Sequence, residues 1–285
     1  MNYIECENLF KNNESEQDKR KKLKQLFDNW RKIISDKPKI QSPLIKEGEY
    51  VPEYLFTDDG FYPGYFSSNT KVLFIGREGR YAQNIARKDR IIFDLEVFNN
   101  RPKDALSKRF WKRVLTLAYL IRNGQESIST PLNTVEILNK MNKEKNYGFA
   151  FMNLSKYLNP IEEKSGRVNA KLIKRFLDDS ELDKYNFIKE EIKILNPNLI
   201  ITSNLWNINA SINNYLNQIF SPIEALGKQE DNGQNACLLI CDFDGIKIPR
   251  VDIHHFSASS IPAIDLMHFY IPIIELLLKR YNYQS

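Results

Sequence analysis

The sequence predicts an α/β protein in three layers, with a central, mostly parallel sheet of about four strands between helices. Two observations carry this. Short apolar runs recur at Lys71–Ile75, Gly148–Met152, Leu199–Thr202 and Ile248–His254. Between them lie longer stretches whose apolar residues return every three or four positions, the spacing of a helix with one buried face. Strands that alternate with helices build a parallel sheet, because each crossover helix packs back onto a face.

The elements follow in order. Ser15 followed by Asp18 is a capping-box pattern, and Leu23, Leu26, Phe27, Trp30, Ile33 and Ile34 then fall at helical spacing. This predicts a basic helix over 15–36 whose lysines face solvent. Residues 37–69 contain Pro38, Pro43, Pro52, Pro63, Gly60 and Gly64 and read as an irregular segment wrapping the core. Within it, the aromatic run Phe61-Tyr62-Pro63-Gly64-Tyr65-Phe66 is either a loop anchored by its rings or a pocket wall. The strand Lys71–Ile75 runs into a glycine-bracketed turn, Gly76-Arg77-Glu78-Gly79-Arg80-Tyr81. Residues 104–122 predict a helix on Leu106, Phe110, Val114, Leu117, Leu120 and Ile121, with Lys108, Arg109, Lys112 and Arg113 around one turn.

The strand ending in Met152 delivers Asn153, and one charged helix is predicted over 168–194, stopped by Asn196-Pro197-Asn198. After Leu199–Thr202 comes a helix near 206–219, then Cys237–Cys241 and Ile246–Ile253 as a hairpin about Asp244-Gly245. Ile264, Leu266, Met267, Tyr270, Ile273, Leu276 and Leu277 predict a final helix over 261–281. The division expected is an N-terminal helical arm with its wrapping segment over 1–67 and one α/β domain over 68–285.

Composition narrows the class. The chain has 285 residues, 42% hydrophobic and 27% charged, ample for an ordinary globular core. A net charge of +5 is compatible with a polyanionic partner but does not demand one. Cys6, Cys237 and Cys241 are odd in number and form no CxxC pattern, so neither a disulfide framework nor a metal site is expected. Cys237 and Cys241 sit in an apolar run and read as small buried hydrophobes. Neither a secretory leader nor a membrane-spanning run is visible, which points to a cytoplasmic protein with no membrane partner.

The chemistry-bearing residues cluster at predicted strand ends. In open α/β sheets ligands bind beyond the carboxyl ends of the strands. There the sequence places Glu78, Asn153, His255 and Ser257. A carboxylate and an imidazole at two neighbouring strand ends make a small acid–base site.

These residues also carry a resemblance. Strand–Gly-x-acid-Gly-x-Tyr, then Asn153-Leu154-Ser155-Lys156, then Asn196-Pro197 before a buried strand, then His255-Phe256-Ser257 after a hairpin, resembles the uracil-DNA glycosylase superfamily over about residues 68–280. That resemblance implies a glycosylase-like α/β fold and hydrolysis of the N-glycosidic bond of a damaged or deaminated, uracil-type base in DNA, single- or double-stranded, by base flipping. It implies Glu78 and His255 as catalytic residues. It implies Gly76, Arg77, Gly79, Arg80, Tyr81, Phe93, Asn153, Lys156 and Ser257 as the substrate-binding set. A monomer is expected, with no cofactor, because the four-cysteine pattern of the iron–sulfur branches is missing. The sequence departs from the family at Gly79 and Phe256, where the motifs usually carry proline, and at Arg80, where the uracil-specific branch has tyrosine. Ala258, Ser259 and Ser260 are a poor match to an apolar wedge. Two other readings stand beside it. One is a weak or inactive relative that binds nucleic acid or a nucleotide. The other is an unrelated α/β hydrolase or transferase using Glu78 and His255, though no nucleophile elbow or phosphate loop accompanies them.

Overall fold

The computed structural model describes residues 14–38, 40–41, 49–50, 56–80, 91–92, 109–123, 133–144, 148–159, 170–182, 185–203, 205, 210–231, 234–253, 256 and 277. Their order begins with helix α1 (Glu16–Ser35), β1 (Ile40–Gln41), β2 (Glu49–Tyr50), β3 (Thr57–Asp58), β4 (Gly60–Phe61), β5 (Val72–Arg80) and β6 (Ile91–Ile92). Helices α2 (Arg109–Asn123) and α3 (Thr134–Glu144) lead to β7 (Ala150–Asn159), α4 (Ala170–Ser180), β8 (Glu181–Leu182), β9 (Tyr185–Asn186) and α5 (Phe187–Leu195). The chain continues through β10 (Leu199–Ser203), α6 (Ala210–Ile219), β11 (Ser221–Asp231), β12 (Gln234–Phe243) and β13 (Ile246–Ile253).

The main sheet is mixed and seven-stranded, in the order β11-β12-β13-β10-β5-β7-β4. The four expected strands are its centre, and β13, β10, β5 and β7 run parallel to their neighbours within that set. The expectation of four strands is corrected by three antiparallel additions, β12 and β11 beyond β13 and β4 beyond β7. Strand β11 escapes a periodicity search because Ser221 to Ala225 are all exposed on an edge, with no buried face to impose alternation. The β12–β13 turn forms where Asp244-Gly245 predicts it, with φ of 49° and 85°, the left-handed pair a tight hairpin requires.

Both faces of the sheet are buried, and residues sort between them with period two. Leu73, Ile75, Ala150, Met152 and Ile200 face a core with α1, α4, α5 and α6. Val72, Phe74, Phe149, Phe151 and Ile201 face a second core with α2 and α3. That arrangement is compatible with the three layers expected. The aromatic run resolves as an anchored loop, with Phe61, Tyr62 and Tyr65 buried. A Cβ at Gly148 would lie 2.1 Å from the Tyr65 nitrogen, so only glycine lets the loop close against β7.

The helix expected over 168–194 is two helices, α4 and α5, separated by the β8–β9 pair. Asn186 Oδ1 accepts from the Lys189 backbone N–H at 3.0 Å and so starts a new helix, as an N-cap asparagine does. Asn196 closes it in the left-handed conformation at φ 47°. Among the described residues no helix is long and apolar enough to cross a membrane. The final helix expected over 261–281 lies outside the described residues, apart from buried Leu277.

Helix α1 begins at the predicted capping box, Ser15 and Asp18 each accepting from the other's backbone N–H. Its Trp30 is fully buried between Phe56, Phe176 and Phe187, with ring centroids 5.4, 5.2 and 5.1 Å away. Trp30 Nε1 also donates to Ser180 Oγ at 3.1 Å. The helix is therefore part of the sheet's core. Trp30→Ala should destabilise the whole protein by about 3–5 kcal/mol, the usual cost of deleting a buried large aromatic side chain. Urea unfolding followed by far-ultraviolet circular dichroism checks this; a loss under about 1 kcal/mol would show that α1 is peripheral.

Candidate functional site

The parallel registers align one row of residues at the carboxyl edge. Ser203 pairs with Ile253, Thr202 with Ile75, and Gly76 with Asn153. Continuing by one residue brings Ser203 level with Gly76, so Ile253, Ser203, Gly76 and Asn153 cross the sheet in one line. Gly76 and Ile253 are two strand spacings apart, about 10 Å. His254 and His255 follow Ile253 directly and lie outside the described residues.

Strand β5 does not turn at Gly76. It continues to Arg80, with Glu78 paired to Ser155 and a register shift before the pairing of Arg80 with Asn159. The glycines serve a different need from the expected turn. A Cβ at Gly76 would lie 2.8 Å from Asn153 Oδ1, and one at Gly79 would lie 2.7 Å from a Leu158 methyl and 3.9 Å from Asn153 Nδ2. They make room for the Asn153 amide to lie against β5. By two-residue alternation Glu78, ahead of the shift, follows Gly76 on the face carrying Asn153. Asn153 is only 7% exposed, yet among the described residues its side-chain amide has no hydrogen-bond partner.

The main chain of Asn153 is held from the other side. Strand β4 pairs with β7 at Phe61↔Ala150 and Gly60↔Phe151, and pairing resumes only at Phe56↔Tyr157. Between these points residues 57–58 leave to pair with β6. Side chains fill the gap. Asp59 Oδ2 accepts from the Asn153 backbone N–H at 2.7 Å, Lys156 Nζ donates to the Asn153 carbonyl at 3.0 Å, and Thr57 Oγ1 donates to the Lys156 carbonyl at 3.2 Å.

Lys156 is itself completely buried, which corrects its expected place among substrate-binding residues. Its ammonium pairs with Asp59, and with Glu191 Oε2 on α5 at 2.7 Å, and lies over the Phe27 and Trp30 rings. Burial lowers the Lys156 pKa, but its two carboxylates outweigh this and the net shift is upward. Burial raises Asp59 despite Lys156, and raises Glu191 to about 8, with the nearby Asp59 charge adding to the effect. One ammonium balances one carboxylate, so the second carboxyl holds a proton. Asp59 Oδ2 receives two donors, whereas Glu191 meets Lys156 alone among the described residues, which assigns the proton to Glu191.

A second clamp holds the chain beyond β13. Phe256 is fully buried, its ring centroid 5.8 Å from Phe74 and 5.5 Å from Phe110. Its N–H donates to Ser203 Oγ at 3.3 Å and its carbonyl accepts from Arg113 at 2.7 Å. Arg113, which the sequence groups with Lys108, Arg109 and Lys112 around one turn, is buried and points inward; Lys112 is exposed.

Of the predicted site residues, the structure brings Gly76, Arg77, Glu78, Gly79 and Asn153 together on paired strands, and Arg80 ends β5. Tyr81, Phe93, His255 and Ser257 lie outside the described residues. Among those described, no group of three metal-ligating side chains occurs. Sequence reasoning passed over Asp59, Glu191 and Ser203. Glu191 carried a signal, since it falls three and four positions after Ile188 and Phe187 on the apolar stripe of α5. A charge on such a stripe implies a buried partner.

No protein-family profile, curated protein or solved structure matches the chain.

The protonated Glu191 gives stability a definite pH dependence. Its folded pKa lies above the ordinary carboxyl value, so its stabilising contribution is complete below about pH 4.5 and declines as pH rises toward 8. Glu191→Gln imitates the protonated acid at every pH. The variant should gain on the wild type by up to about 1.4 kcal/mol per pH unit between pH 5 and 8. Urea midpoints across that range measure this, and parallel curves for the two proteins would exclude a buried, protonated Glu191.

Proposed function

We propose that this chain is a glycosylase-like protein that holds a nucleobase at the carboxyl edge of its parallel strands. In this reading it hydrolyses the N-glycosidic bond of a deaminated, uracil-type base in DNA, within a three-layer fold of the uracil-DNA glycosylase kind. The observation that carries the reading is the Asn153 amide, nearly buried against glycine backbone and unpartnered among the described residues. An amide offers one donor and one acceptor side by side, the complement of the N–H and C=O edge of uracil.

The chemistry assigned to the site follows from charge. As the bond from sugar C1′ to the base nitrogen breaks, its electron pair leaves with the base and positive charge builds on the sugar. Glu78, on the Asn153 face, orients a water for attack on C1′, accepts its proton and stabilises the cationic sugar. By the resemblance, His255 donates to the pyrimidine carbonyl where negative charge collects. The products are a free base and an abasic sugar.

One observation favours a second reading, binding without hydrolysis. Glu78 sits within the β5–β7 ladder, opposite Ser155, instead of in a turn that reaches outward.

The two readings separate in one assay. Single- and double-stranded oligonucleotides bearing uracil, hypoxanthine or a mismatch are incubated with the protein and then treated with alkali to cut at abasic sites. Cleavage at the modified base is expected, falling at least about a hundredfold in Glu78→Gln while binding persists, because the charge acts on the transition state. Uracil-dependent binding with no cleavage by the wild type would establish the second reading. Binding unaffected by Asn153→Ala would overturn both.

A further inference from the structure

Ser203 stands in the same row as Asn153 at the carboxyl edge, with Gly76 between them. It pairs with Ile253, which faces the second core, as do Phe74 and Phe151. Two-residue alternation puts Gly76 on the face of Phe74 and Asn153 on that of Phe151. The Ser203 side chain therefore rises on the same face as the Asn153 amide. Both are buried, at 1% and 7% exposure, and their main chains are two strand spacings, about 10 Å, apart. Gly76 puts no side chain between them; a Cβ there would meet Asn153 Oδ1 at 2.8 Å and the Phe151 ring at 3.0 Å. Phe74 and Phe151, one step back along their strands, join Phe110 and Phe256 in one aromatic cluster.

The sense of the Ser203 hydroxyl is set by its neighbour. The Phe256 backbone N–H reaches Ser203 Oγ at 3.3 Å, and an N–H can only donate. Oγ is thus the acceptor in that bond, and its own hydrogen is turned elsewhere. Among the described residues no acceptor takes that hydrogen. Asn153 can meet only part of a pyrimidine edge, because one amide spans the ring N–H and a single carbonyl. The donor that Ser203 offers is the same whichever way the Asn153 amide is turned.

We propose that Ser203 is a further ligand-contacting residue, whose hydroxyl donates to the second carbonyl of the base that Asn153 holds by its N–H and first carbonyl. The inference rests on the reading that Asn153 contacts a uracil-type base. It makes the recognised group a whole imide, carbonyl, N–H and carbonyl, met from both sides of the gap at Gly76. A span of about 10 Å, less a hydrogen bond of about 3 Å at each end, suits one six-membered ring. Hypoxanthine has one carbonyl and an N–H but carries C–H in place of the second carbonyl, so it leaves Ser203 unused.

The test replaces one carbonyl oxygen at a time by sulfur, a weaker acceptor. Fluorescence anisotropy gives the affinities for single-stranded oligonucleotides bearing one uracil, 2-thiouracil or 4-thiouracil. Each base sits on a 2′-fluorinated sugar, which resists cleavage because fluorine disfavours positive charge at C1′. The wild type should bind each thio-base about tenfold more weakly than uracil, the scale of one hydrogen bond. Ser203→Ala should erase that penalty at one position only, and Asn153→Ala at the other. If Ser203→Ala does not fold, Ser203→Cys fills the place with a weak donor and should show the same selective loss. A purely structural defect lowers the folded fraction and weakens all three affinities by one factor. Arg113→Met is the control for the Phe256 segment, because it removes the bond to the Phe256 carbonyl and leaves the Ser203 hydroxyl in place; both penalties should persist in it. Equal weakening of the three by Ser203→Ala, no change in any of them, or the same selective loss in Arg113→Met would overturn the Ser203 contact. So would a wild type with no sulfur penalty beyond the one Asn153 accounts for. If the wild type ignores both sulfurs and Asn153→Ala binds as tightly as it does, the functional reading itself has failed, a separate result.

Discussion

A lysine ammonium buried with two carboxylates is the constraint around which one face of this protein is arranged. Lys156, Asp59 and Glu191 belong to β7, the segment before β4 and α5, and all three side chains are at most 1% exposed. An unpaired charge at such a site costs several kcal/mol. The three elements must therefore assemble together, and α1 must close over them, because the Phe27 and Trp30 rings form the wall that keeps water from the ammonium. Balanced by one proton, the cluster is tolerable; a charge left in it without its counter-charge is not.

The same cluster repairs a fault in the sheet. Residues 57–58 abandon β7 for β6, which strips main-chain partners from the stretch between Met152 and Tyr157. Buried backbone groups need partners, and Asp59, Lys156 and Thr57 supply them. The repair leaves β7 with two different sides near Asn153. On one, ionic side chains grip the main chain; on the other, an amide lies against glycine, level with the ends of β10 and β13.

Phe256 shows a second way of anchoring the same edge. In this chain the residue buries an aromatic ring between Phe74 and Phe110, and its two backbone groups bond to Ser203 and Arg113. Stiffness comes from packing and hydrogen bonds instead of from covalent restriction, and Arg113 is withdrawn from the surface in the process.

Some of this was settled by the sequence alone. The four central strands, the capping box at Ser15 and Asp18, the Asp244-Gly245 turn and the helix stop at Asn196 are written in periodicity and turn chemistry, which act over a few residues. Gly76, Glu78, Gly79 and Asn153 were legible as a group for the same reason, since each ends or extends an apolar run. What only the tertiary structure decided lies at long range. The first half of edge strand β11, Ser221 to Ala225, is exposed throughout and so leaves no pattern. The break between α4 and α5 is made by an asparagine cap inside a continuous charged stretch. Lys156 was expected among the substrate-binding residues; Asp59, 97 residues away in the chain, and Glu191 are what the fold brings against it. A buried charge is defined by its partner, and no local rule in a sequence names a partner that far away.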